Sequence, residues 1–85
     1  MGLTRIVMNA FKSMGKQNII DIANQLLKLD EVRNVNIKVN DINAEVVSVT
    51  IIIEGVNLDF EKIRSVLEDM GIAIHNVSEI IASKE

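Results

Sequence analysis

Eighty-five residues and 9.4 kDa leave room for one domain spanning residues 1–85. Nine basic against twelve acidic side chains give a net charge of −3, a diffuse acidic balance that disfavours a nucleic-acid backbone as partner. The absence of Cys excludes a disulfide scaffold, a thiolate metal site and a cysteine nucleophile, and two Phe with no Trp or Tyr leave little to stack on bases. Ile and Val together supply 24 of the 85 residues, so a modest core is well provided for. No charged-then-apolar leader and no bilayer-length apolar run are present, which points to a cytoplasmic protein without a membrane partner.

Period-two alternation over Leu3–Phe11 predicts a first strand, with Leu3, Arg5, Val7, Asn9 and Phe11 on one face and Thr4, Ile6, Met8 and Ala10 on the other. Met14 to Gln17 is a connector. Asn18 is placed to cap a helix with Asp21 in its first turn, and Ile19, Ile22, Ala23, Leu26 and Leu27 follow at helical spacing. Val32–Val39 alternates again, and Asn40–Ala44 reads as a turn. Glu45–Glu54 forms a third strand that is apolar on nearly both faces, as central strands are. Asp59 is a second N-cap; Leu58 before it and Ile63 inside it can close a hydrophobic staple. Phe60, Ile63, Val66, Leu67 and Met70 make the second stripe, Gly71 ends it, and Ile72–Ala82 is the fourth strand.

The order βαββαβ describes an α+β ferredoxin-like sandwich: a four-stranded antiparallel sheet with the first and third strands central and both helices on one face. Helices can cover one face only. Leu3, Val7 and Phe11 oppose Ile6, Met8 and Ala10, while Ala73, Val77 and Ile81 oppose Ile72, Ile74 and Ile80. A lone domain would therefore leave a contiguous apolar face bare, which soluble monomers rarely do. A homo-oligomer, expected to be cyclic, resolves the conflict through that face or through the outer strands.

Asp41, Asn43 and Glu45 place three oxygen-bearing side chains at alternate positions across the hairpin, a density that suits Ca²⁺ or Mg²⁺. Against a metal site, Asp and Asn are ordinary turn residues and EF-hand spacing is missing. His75 is the only histidine and has no companion, so it reads as a partly buried or interfacial side chain. Arg5 on a central strand needs a counter-charge, and Glu54 or Glu79 is the expected partner. Gly15-Lys16 after a strand lacks the earlier glycine of a phosphate loop. No dinucleotide, nucleophile-elbow or zinc motif occurs, and nothing specifies a catalyst. The reading is a non-catalytic oligomeric module that senses a ligand or regulates, with no resident cofactor. The alternative is a divalent-cation-binding protein that uses Asp41, Asn43 and Glu45.

Several pieces, in order, resemble a known family. They are Gly2-Leu3 with Arg5-Ile6-Val7 and Lys12, then Val35-Asn36-Ile37, Ile53-Glu54-Gly55, Leu58-Asp59-Phe60-Glu61, and Ile74-His75 followed by Glu79. Over nearly its full length the chain resembles the small archaeal family catalogued as domain of unknown function two hundred and eleven. The resemblance implies a ferredoxin-like fold, a symmetric multi-subunit assembly and no established activity. The sequence departs from that pattern at Asn9 and Asn43, where the family usually has acids, and at Ser13-Met14, where it has Pro-His.

Overall fold

The computed structural model describes residues 2–15 and 18–84. Its elements are β1 (Gly2–Ser13), α1 (Ile19–Leu27), β2 (Val32–Ile42), β3 (Val46–Leu58), α2 (Phe60–Asp69) and β4 (Ile72–Ser83). The sheet order is β2-β3-β1-β4 and every neighbouring pair is antiparallel, the ferredoxin-like arrangement. Of the connector after β1, residues 16 and 17, and with them half of Gly15-Lys16, lie outside the described residues.

Local chemistry explains both helices. The Asn18 side-chain oxygen accepts from the Asp21 N–H at 2.9 Å, and the Asp21 carboxylate accepts from the Asn18 N–H at 3.4 Å. That reciprocal pair satisfies two donors that the helix start would otherwise leave orphaned. In α2, Asp59 accepts from the Lys62 N–H at 3.2 Å, and Gly71, at φ +80°, takes the left-handed position that ends the helix. Ile22 and Leu26 of α1 and Ile63 and Leu67 of α2 are fully buried. They meet Ile6, Met8 and Ala10 of β1 and Val49, Ile51 and Ile53 of β3. Leu27, placed on the apolar stripe from sequence, instead lies exposed off it.

The strands outrun the helices. Nine- and ten-residue helices are about 14–15 Å long, whereas 11–13 extended residues span roughly 36–43 Å. The molecule accordingly measures 45 × 23 × 17 Å. Along the outer strand β4, apolar residues on the helix side of the sheet lose their cover. Ile80, directly opposite the fully buried Ile6, is 52% exposed, and Val77, opposite the buried Met8, is exposed too.

Both edge strands carry bulges in which two residues oppose one. Against β1, the extra residues of β4 are His75 and Ser78; against β3, those of β2 are Arg33 and Asn40. The bulges correct two expectations. After His75 the alternation of β4 slips, so Val77 pairs with Met8 on the helix side and no longer shares a face with Ala73. The open face, expected to be apolar, is largely polar. Asn40, His75, Asn76, Ser78 and Glu79 all reach it, around a narrow apolar strip of Val7 and Ile52, with Phe11 and Ile81 exposed towards its ends. The strands also run further than their periodicity suggests. Asp41 and Ile42 still pair with β3, and β3 continues past Glu54 to Leu58.

Gly55 marks the closest backbone approach. The Val56 N–H donates to the Glu31 carbonyl at 3.0 Å, and a Cβ on Gly55 would collide with that same oxygen. Neither partner is a flexible side chain. Gly55→Ala is expected to cost about 3 kcal/mol or more in urea unfolding. Gly71→Ala, where a Cβ meets open space, should lose only about 1–2 kcal/mol from its positive φ. Equal losses in the two variants would show that the Glu31 approach is not what demands glycine.

Candidate functional site

Three constellations are candidates: the hairpin between β2 and β3, the open sheet face, and a cleft beside the start of α1. At the hairpin, Asp41 pairs with Ser48 one residue before the end of the β2 ladder, and Asp41, Asn43 and Glu45 are all exposed. Asn43 is committed to the turn. Its side-chain oxygen accepts from the N–H groups of Glu45 at 3.0 Å and Val46 at 2.9 Å, while its own N–H donates to the Val46 carbonyl at 3.1 Å. An amide oxygen has two lone pairs, and both are used here. Among the described residues no group of three or more His, Cys, Asp or Glu is arranged to hold a metal ion.

The open face is organised in two polar rows. In the first, Arg5 donates to Glu54 at 2.7 Å and lies 3.4 Å from Glu79, while Asn34 donates to Glu54 at 3.0 Å. Arg5 thus meets both expected partners, brought to it from β3 and β4. The Asn34 amide first, and the Arg5 guanidinium second, hold the Glu54 carboxyl below its ordinary value of 4.5. In the second row Thr50 accepts from Asn40 at 2.7 Å and donates to Asn9 at 3.0 Å, and Asn9 donates to Asn76 at 2.8 Å. Four strands are stitched by one chain of hydrogen bonds. At the end of this face the rings of Phe11 and His75 lie 5.4 Å apart and tilted by 56°, so His75 packs on an aromatic side chain.

The cleft lies on the helix side, where β1 and the β2–β3 hairpin run past the start of α1. It is an open cleft of about 320 Å³, lined by Met14, Ile19, Val39, Ile42 and Val47 with Gly15 and the polar Asn18 beside the start of α1. Lys12 reaches it from the core row Ile6, Met8, Ala10, Lys12 and keeps only 9% of its surface exposed. Its ammonium donates to the Ser13 carbonyl at 3.0 Å, and no carboxylate lies within ion-pair distance among the described residues. Strand alternation alone does not single this residue out. The available signal was a lysine in the even-numbered series that otherwise carries the core.

Two predictions follow from these geometries. Because the Glu54 pKa is depressed on folding, the stability it contributes is present above its ordinary value of 4.5 and is lost as pH falls through the lower folded value. Glu54→Gln should therefore flatten the acid limb of a plot of Tm against pH below about 4.5, and an unchanged limb would remove Glu54 from the acid response. At the hairpin, Asn43→Ala should cost about 1 kcal/mol, whereas Asp41→Ala with Glu45→Ala should shift stability by less than about 0.5 kcal/mol. Urea unfolding of the three proteins checks the order.

No helix among the described residues is long and apolar enough to cross a membrane. A family model described as "Uncharacterized ArCR", DUF211, matches residues 4–85. The uncharacterized protein MJ0319 of Methanocaldococcus jannaschii is 38% identical to the chain over 84 residues, covering 99% of the chain and 86% of that protein. Fold, matched span and relative agree: the chain belongs to the DUF211 family, a family of unknown function with an archaeal member.

Proposed function

We propose that the protein is a non-catalytic, self-associating cytoplasmic module that senses a small ligand or regulates through one. The observation that carries this reading is the uncovered apolar flank of β4. Val77 and Ile80 on the helix side and Ile81 on the other are exposed along an edge strand whose neighbours Ile6 and Met8 are fully buried. A chain of this size buries only about three-fifths of its surface alone, so covering that flank with another copy adds stability where the margin is thin. A closed cyclic arrangement is the common solution for identical subunits. A ligand-binding rather than catalytic role is supported by the cleft, whose walls are mostly apolar and whose one ionisable side chain among the described residues is Lys12.

Sedimentation or native mass spectrometry at micromolar concentration tests the assembly. The unmodified protein is expected as a defined multiple of 9.4 kDa, and Ile80→Asp with Ile81→Asp is expected to give smaller species with the same far-ultraviolet spectrum. A 9.4 kDa species for the unmodified protein would end this reading.

A further inference from the structure

Lys12 poses a problem that the fold itself leaves open. Burying an ammonium without a counter-charge is costly, and proteins normally pair such a group or place a hydrophobic residue there. Here the stem packs in the core row, one proton of the ammonium is spent on the Ser13 carbonyl, and the remaining hydrogen-bonding capacity has no acceptor among the described residues. The same side chain lines a cleft whose other walls are apolar apart from Gly15 and Asn18, whose side-chain oxygen is already engaged in capping α1. An apolar cavity with one convergent charged group is the usual form of a site that orients a small molecule by its polar end.

We propose that this cleft binds a monocarboxylate with an aliphatic body, its carboxylate on the Lys12 ammonium and its chain against Met14, Ile19, Val39, Ile42 and Val47. The proposal rests on the ligand-sensing reading above and names the ligand's class. Charge favours the class: among the described residues one ammonium lines the cleft and matches one negative charge, whereas a phosphate dianion would remain half compensated by it. Volume sets the size. At roughly 30 Å³ for each water-sized group, an open cleft of 320 Å³ takes at most about ten heavy atoms, the size of an eight-carbon acid. The walls supply the rest of the binding energy by covering apolar surface.

Calorimetric titration of the intact protein with sodium octanoate, octan-1-ol and sodium acetate tests this. Octanoate should bind saturably below about 10 mM, octanol at least roughly tenfold more weakly, and acetate not measurably. Lys12→Met keeps a straight apolar stem and should erase the preference for octanoate over octanol, leaving octanol binding unchanged. Ile42→Glu, at a rim position that is already 62% exposed, should fold normally and weaken octanoate at least tenfold by placing a like charge at the mouth. Octanol binding as tightly as octanoate, octanoate binding undiminished in Lys12→Met, or no saturable octanoate binding would each overturn the proposal. If octanoate fails to bind and Ile42→Glu dissociates the protein in sedimentation, the cleft is a contact between copies and the ligand proposal falls. Sedimentation of the unmodified protein without octanoate decides the self-association reading independently.

Discussion

The structure turns on a mismatch of lengths. Strands of 11–13 residues extend roughly 36–43 Å, and helices of nine and ten residues reach about 15 Å at most. The helix-covered middle of the sheet is a dry core of aliphatic side chains, while the two ends project beyond it. At one end the cleft opens around Lys12, and along the outer strand β4 Val77 and Ile80 go without cover although Met8 and Ile6 opposite them are buried. The candidate sites are thus consequences of where cover stops.

The second organising device is the pair of bulges on each edge strand. An extra residue in β2 or β4 sends neighbouring side chains to the same side of the sheet, and that side is the one the helices leave open. Asn40 and Asp41, His75 and Asn76, and Ser78 and Glu79 are the resulting pairs. They supply the partners that Arg5, Asn9 and Thr50 need from the central strands. The face is therefore wettable although β1 and β3 contribute Val7 and Ile52 to it. Its polar groups are bonded to one another, so it holds the strands in register at little desolvation cost.

Most of the fold was legible in the chain because it depends on local pattern. Alternation, the caps at Asn18 and Asp59 and the stop at Gly71 are each decided within a few residues. What escaped was decided by partners distant in sequence. Alternation in β4 predicts Val77 beside Ala73, but the bulge at His75 arises only in pairing with β1 and reverses that choice. At Asn43 the limit is different, because its partners Glu45 and Val46 lie two and three residues away and the local pattern offers both a turn role and a ligand role. Oxygen spacing along Asp41, Asn43 and Glu45 suggested ligands, and the folded hairpin shows that one of the three oxygens already serves the backbone. Lys12 escaped because an exposed lysine and a buried one look alike until the strand's neighbours are known.

The interrupted edges have one more consequence. A sheet edge that offers an unbroken row of backbone groups can template strand after strand, with no inherent end to the growth. β4 is broken at His75 and Ser78, and β2 at Arg33 and Asn40, so each edge offers regular ladder only in short stretches. Main-chain bonds alone would therefore give an added chain little grip, and any lasting contact there would have to come from side chains such as Ile80 and Ile81. Such contacts are specific in shape and saturate once satisfied. A protein rich in Ile and Val, with two long free edges, is in this way kept from the open-ended stacking that its composition would otherwise favour.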